Sequence, residues 1–484
     1  MVKTIKRLAI LLAILLILSV LIPMVIVNAN QTLSQINIKE IDQFLEQQVD
    51  ANRIPGMAIA IIQEDEILFM KGYGESSPGV PVTPQTQFYL GSISKSFTAL
   101  AAMHLVEEGK LNLDMPVQHY LPWFKVADES ASSKITVRHL LNHTSGLSST
   151  KDPNVDVLTQ TLKEQTEYMQ YVQPVTEAGT QFEYYNQNYR IIGCLIEEIS
   201  GQTYDTYLAS HIFQPLNMPN TVTHPDQAIA LSQGYTRFLG QPMAMPQEYN
   251  PGALPSGYII STAEDMAQYL ISHLNNIDAE GSLYLSPNLM ADLHTPPQSI
   301  DSTYAMGWMK KEEAIAHGGS LNRFQTFMML NTESKTGVIL LFNQNSMQNM
   351  LTVNNDIRQG IENAFNGQPI QPRNFRWVGW MIFALIVLDM ANHLRLYVKL
   401  SRWWKNPQIT RKLWLWLKTI VGIVLPLFIL LGLPQLIHQL DGGAPTWREP
   451  FGLMPDLTLW LIFGLSLTVI RNLLKMLRLI QLNR

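Results

Sequence analysis

Phe88-Tyr-Leu-Gly-Ser-Ile-Ser-Lys-Ser-Phe-Thr-Ala99 decides the reading of this chain. Within it Ser92 and Lys95 stand three residues apart at the start of an apolar helical pattern. On a helix that spacing stacks both side chains on one face, a turn apart. A serine hydroxyl is a poor nucleophile until a base holds its proton, and a desolvated lysine one turn away supplies that base. The positive end of the helix dipole also favours negative charge developing near Ser92. Alone, Ser-x-x-Lys is a weak signal, since a capping serine followed by a surface lysine gives the same letters. Two further motifs in the right order give it weight.

The second is Tyr184-Tyr185-Asn186, just ahead of an amphipathic helix. A tyrosine in a cationic pocket is pushed toward phenolate and becomes a candidate general base. Asn186 offers an amide donor and acceptor to a lysine or a substrate; its bland alternative is a helix cap. The third is His317-Gly318-Gly319-Ser320, read as preceding the strand Phe324–Leu330. Glycines there let a substrate approach the backbone. The Ser320 N–H could join that of Ser92 as an oxyanion hole, and His317 could meet a substrate carboxylate or assist proton transfer. A literal Lys335-Thr336-Gly337 also occurs, but it lies between two apolar strands and reads as a hairpin tip.

Outward from these motifs, periodicity predicts helices over 38–49, 94–108, 136–142, 157–171, 187–200, 203–213, 262–274 and 347–365. Strands are expected over 57–63 and 67–71, and again over 306–310, 314–316, 322–330 and 338–343. Strands thus lie at both ends of the region and helices fill its middle. The fold class is α+β, sandwich-like: an antiparallel sheet flanked by helices, plus an all-helical subdomain, followed by an α-helical transmembrane region. The nucleophile is expected at the junction of sheet and helical insert, where clefts form.

The 484 residues carry a net charge of −5, which gives no electrostatic case for nucleic acid. Both ends are strongly apolar. Lys3, Lys6 and Arg7 precede the run Leu8–Val27, which suits residues 1–29 as a signal peptide or a retained membrane anchor. The hydrolytic domain is expected over 31–366, a Gly/Pro-containing linker over 367–376, and a membrane region over 377–484. Three spans are expected there, 377–397, 413–436 and 457–474. Lys399, Arg402, Lys405, Arg411 and Lys412 lie in the first loop, and Arg471, Lys475, Arg478 and Arg484 toward the tail. The positive-inside rule makes these cytoplasmic and places the catalytic domain outside. Asp389 and His393, inside the first span, are functional candidates by default. Cys194 is the only cysteine; no intrachain disulfide is possible, and it reads as core.

Taken together, the three motifs resemble the serine β-lactamase and penicillin-binding-protein superfamily, on its class C-related branch of β-lactamases, DD-peptidases, D-aminopeptidases and esterases. Ile135–Leu147, Pro215–Thr221 and Ser256–Asp265 are similar to family segments. The resemblance covers about residues 38–365. It implies that Ser92 is acylated, that Lys95 and Tyr184 share proton transfer, and that Asn186 positions Lys95 and the substrate. It also implies that His317, Gly318 and Gly319 stand where relatives carry Lys-Thr-Gly, and that no metal or cofactor is needed. His317 and Gly318 depart from the β-lactamase pattern and favour a DD-peptidase or esterase acting on a cell-wall peptide or small D-amino-acid ester or amide. A β-lactamase and a non-hydrolytic, penicillin-binding membrane sensor remain the alternatives. Oligomeric state is not legible in the sequence.

Overall fold

The computed structural model describes residues 37–152, 161–407, 412–441 and 446–482. The N-terminal apolar run and the start of the helix expected from 157 lie outside these residues.

An eight-stranded antiparallel sheet forms the frame. Its strands are β1 (Gly56–Gln63), β2 (Glu66–Ser77), β3 (Val80–Pro81), β4 (Tyr304–Ala305), β5 (Trp308–Lys311), β6 (Ala314–Ser320), β7 (Gln325–Asn331) and β8 (Thr336–Phe342). Their order is β3-β2-β1-β8-β7-β6-β5-β4, so the N-terminal hairpin pairs with the C-terminal strands through β1 and β8. Glu64 and Lys335 take left-handed backbone angles at the two tight turns. The Lys335-Thr336-Gly337 stretch is therefore a hairpin turn, as its composition suggests.

Side-chain alternation on β1 explains why this strand is central. Met57, Ile59 and Ile61 enter one core, with Ile41, Phe44 and Leu45 of α1 (Ile38–Asn52) and Ile357 and Ile361 of a C-terminal helix. Ala58, Ala60 and Ile62 enter the other, shared with the helical insert. Each buried isoleucine contributes about 1.5–3 kcal/mol of transfer free energy.

The insert carries α2 (Ser94–Glu107), α3 (Asn186–Ser200) and α4 (Ala263–Asn275) with shorter helices between them. Cys194 is buried on α3. Thr262 caps α4 by accepting from the Asp265 N–H. Asp265 does not reach back to close a capping box; its carboxylate accepts from Asn220 N and Thr221 Oγ1 instead. The helix expected from Met347 to Phe365 breaks at Thr352, leaving α5 (Val353–Phe365). A hairpin the sequence does not announce, Tyr235–Phe238 with Gln241–Ala244, projects toward the C-terminal region.

That region holds α6 (Arg376–Lys405), α7 (Lys412–Asp441), the short α8 (Arg448–Leu453) and α9 (Pro455–Gln481). Three helical stretches, Arg376–Lys405, Leu413–Leu436 and Pro455–Gln481, are long and apolar enough to cross a membrane. Asp389 and His393 are not aimed at solvent: they face α9, where Trp460 Nε1 donates to Asp389 Oδ2 at 3.1 Å.

Candidate active site

Gly91–Ile93 forms one 3₁₀ turn that runs directly into α2, so Ser92 precedes the helix and Lys95 lies in its first turn. Lys95 Nζ is 3.1 Å from Ser92 Oγ and donates to the Ser256 carbonyl at 2.7 Å. Ser256 belongs to a short helical turn, Leu254–Gly257. Lys95 has no exposed surface, while Ser92 is partly open. Burial, then the nearby Arg190 guanidinium, holds the Lys95 ammonium well below its ordinary pKa. Burial thus favours the neutral amine over the ammonium beside a reachable hydroxyl.

Tyr184 covers the pair. Lys95 Nζ lies 4.9 Å from its ring centre. Burial pushes the phenol up, against the opposing effect of its hydrogen bond with Ser92. Burial thus favours the neutral phenol over the phenolate expected from the sequence, and the Ser92 hydrogen bond only partly opposes it. Asn186 opens α3 and is exposed, whereas Tyr185 is the capping residue. The hydrogen bonds of Lys95 go to Ser92 and Ser256, and none goes to Asn186, which is exposed.

The His317 motif precedes β7, as expected, but it is itself strand, the end of β6, beyond the limit at Ala316 expected from the sequence. β5 pairs with β6 only over Ala314–Ala316, which leaves the edge from His317 to Ser320 without a strand partner on that side. The Ser92 turn packs there. Gly91 has φ of +56°, and a Cβ on it would lie 2.5 Å from Ser320 N. A Cβ on Gly319 would collide with the Leu90 carbonyl and Thr326 Oγ1. Two glycines thus bring the backbone of the nucleophile turn against the strand edge. Gly318 and Ser320 are exposed along that edge, and Ser320 Oγ accepts from Asn345 Nδ2 at 2.8 Å.

His317 itself is 2% exposed. Its Nδ1 lies 2.7 Å from the Gly318 carbonyl, so that nitrogen carries the proton and Nε2 accepts from Tyr304 Oη at 3.2 Å. Burial, reinforced by Lys95, lowers its pKa to about 3. A neutral, tautomer-locked imidazole supplies no positive charge to a carboxylate, contrary to one of the roles expected for it.

Several neighbours carry no clear signal in the sequence. His143 is fully buried, with its ring 4.4 Å from that of Tyr184. Its Nδ1 meets the Tyr185 N–H at 3.3 Å and Asn188 Nδ2 at 3.0 Å, fixing the chain on either side of Tyr184 and α3. Tyr189 and Tyr304 complete the apolar wall around the amine. The only hint was that His143 and Ser256 fall inside segments already similar to family stretches. Tyr304 had no marker at all.

An antiparallel sheet with a helical insert, and a serine–lysine pair at their junction, is the architecture of the β-lactamase and penicillin-binding-protein superfamily. The family described as Beta-lactamase matches residues 41–360, and the chain belongs to it. Protein flp of Staphylococcus aureus (strain MW2) is 30% identical over 320 residues, 64% of this chain and 63% of that protein. Penicillin-binding protein 4 of Amycolatopsis lactamdurans is 28% identical over 248 residues, 49% of this chain and 64% of that protein. The chain thus spans less than two thirds of the length of these curated relatives. Among solved structures, the octameric penicillin-binding protein homologue from Pyrococcus abyssi superposes with a TM-score of 0.58 at 26% identity, covering 69% of this chain and 78% of that one.

Proposed function

We propose that the chain is a membrane-anchored serine hydrolase that works through an acyl-enzyme on Ser92. Neutral Lys95 takes the hydroxyl proton as Ser92 Oγ attacks the carbonyl carbon of an ester or amide. The tetrahedral oxygen accepts from the Ser92 and Ser320 N–H groups at the strand edge. Collapse breaks the bond to the leaving group, which receives its proton through Lys95 and Tyr184. Water then attacks the acyl-enzyme, and the same groups return the proton to Ser92. Exposed Asn186 and Gly318 are assigned to the substrate rather than to the proton path. The Lys95 amine, buried, with its ammonium form disfavoured and 3.1 Å from Ser92 Oγ, carries this reading.

The substrate class is a cell-wall peptide or an ester or amide of a D-amino acid. Neutral His317 and the missing hydroxyl at Gly318 remove two groups that would hold a β-lactam carboxylate, which favours a peptidase or esterase over a β-lactamase. The basic first loop and tail of the membrane region support an extracytoplasmic catalytic domain. The domain limits we assign are 31–366 for hydrolysis, 367–376 for the linker and 377–484 for the membrane region.

Intact mass of the detergent-solubilised full chain, followed over time with a labelled penicillin and with a fluorophosphonate, tests this. A fluorophosphonate adduct on the wild type and none on Ser92→Ala is expected. Fast penicillin turnover with a transient adduct would move the assignment to β-lactamase. A penicillin adduct that never releases, with no ester hydrolysis, would move it to a covalent sensor. No adduct with either probe on folded protein would sink the acyl-enzyme reading.

A further inference from the structure

Three segments joined to the Ser92 site through Tyr185, Ser256 and Ser320 each touch the C-terminal helical region. Ser149–Lys151 comes just before Asp152, whose carboxylate accepts from Tyr185 Oη at 2.5 Å; α7 packs against it. Residues 247–248 lead into the turn whose Ser256 carbonyl holds Lys95, and Glu248 pairs with Arg448 of α8. Residues 321–323 continue from Ser320. There Arg323 Nη1 donates to the Gly452 carbonyl at 2.8 Å, and a Cβ on Gly452 would lie 3.2 Å from the Asn322 side chain. The same carbonyl accepts from Thr236 Oγ1 at 3.1 Å.

Every one of these partners lies on α7 or on the α8 segment that joins α7 to α9. The sheet gives the direction. Ser320, Gln325 and Phe342 share one end of their strands, and Ala314, Asn331 and Thr336 the other, about 20 Å away at 3.4 Å per residue. The membrane region attaches at the Ser320 end. Leu239 N donates to Asp456 Oδ2 at 3.0 Å in the first turn of α9, and Gly240 packs backbone to backbone on Gly379 of α6. Trp377 and Trp380, beside Gly379, are 53% and 62% exposed. Exposed tryptophans at the end of a span mark the headgroup level of a bilayer. The hairpin, the α8 segment and the Ser320 end of the sheet thus sit at that level.

We propose that the Ser92 cleft opens onto the membrane surface and takes its acyl group from an amphiphilic, lipid-anchored carrier, an ester or peptide amide held close to a lipid headgroup. This rests on the acyl-enzyme reading above. A site on the far side of a domain this size would stand about 50 Å from the bilayer, out of reach of a short headgroup.

Tether length reads the distance directly. Full-length protein is reconstituted in phosphatidylethanolamine–phosphatidylglycerol vesicles with a dioleoyl lipid bearing a fluorophosphonate on a Gly/Ser spacer. Labelling forms the Ser92 Oγ–P bond, releases fluoride and passes the hydroxyl proton to Lys95. Spacers of 2 and 20 residues reach about 7 and 70 Å. The expected result is labelling of Ser92 by the short spacer at least as fast as by the long one, because both reach the cleft and the shorter one holds the probe at the higher effective concentration. Labelling by the long spacer alone, or about tenfold faster than by the short one, would overturn the proposal. So would labelling by a soluble fluorophosphonate when neither anchored probe reacts. If the soluble probe also fails on folded, detergent-solubilised protein, it is the acyl-enzyme reading that falls. Ser92→Ala is the blank for every arm.

Discussion

Lys95 and His317 are both buried bases, yet their surroundings assign them different work. Lys95 keeps two acceptors, Ser92 Oγ and the Ser256 carbonyl, and no acid neighbour offsets its burial. In the proposed mechanism its neutral form is the base, so protonation would abolish the reaction. The rate of Ser92 acylation should rise with pH through the depressed lysine pKa and then level off. Tyr184 is shifted upward and His317 lies at about 3, so neither adds a limb between pH 5 and 9. Lys95→Arg keeps a cation but no proton acceptor, and should slow acylation by about 10²–10⁴-fold. His317→Gln should leave the position of the acid limb unchanged, even if the rate falls. Stopped-flow acylation with a chromogenic ester from pH 5 to 9 checks both. An acid limb that moved with His317 would mean that the histidine is the base.

At the scale of elements, the site is made by a helix start pressed against a strand edge, and glycines set the distance. Gly319→Ala would drive a methyl group into the Leu90 carbonyl and Thr326 Oγ1, which already hydrogen-bond to each other at 2.6 Å. Backbone must move to admit it, at a cost of about 1–3 kcal/mol. Because Leu90 leads into the Ser92 turn, acylation should fall by more than the loss of folded protein explains. Thermal midpoint and active-site titration on the same preparation separate the two effects; a variant with wild-type acylation would show that the turn is not set by this contact. The sequence made the helix of Ser94 and the β1–β2 hairpin legible because each has a clean period and a clear turn. It left β6 short, since His-Gly-Gly-Ser has neither alternation nor β-branched residues. Those residues are strand because β7 pairs with all of them, from His317↔Met328 to Ser320↔Gln325. The same blindness hid Ser256 and Tyr304. One contributes only a carbonyl, which every residue has, and the other reaches His317 through tertiary packing alone. Asn186 erred the other way, its letters promising a contact with Lys95 that the first turn of α3 turns away from.

Across the whole molecule, the groups held neutral by burial couple folding to pH. His143, His273 and His317 are all nearly or fully buried, and burial lowers each from 6.5. Unfolding lets them take up protons once the pH is below 6.5, so the stability they allow is complete above that value and is lost as pH falls toward their folded values. Each proton taken up gives a slope of about 1.4 kcal/mol per pH unit. Lys95 acts in a second window. Its unfolded value is 10.5 and its folded value is far lower, so an unfolded chain binds one proton more throughout neutral and mildly alkaline pH. Stability should therefore keep rising from pH 7 to about 8.5, where the histidines no longer titrate and the buried tyrosines, raised from 10 in the fold, do not yet outweigh the lysine. Replacing Lys95 by methionine removes the buried amine while keeping much of its apolar volume. In Lys95→Met the rise above pH 7 should flatten, while the loss below pH 6.5 persists. Thermal midpoints of wild type and variant in one detergent, from about pH 4.5 to 8.5, measure both windows. Parallel curves above pH 7 would show Lys95 to be charged in the fold, and would remove the base on which the proposed chemistry depends.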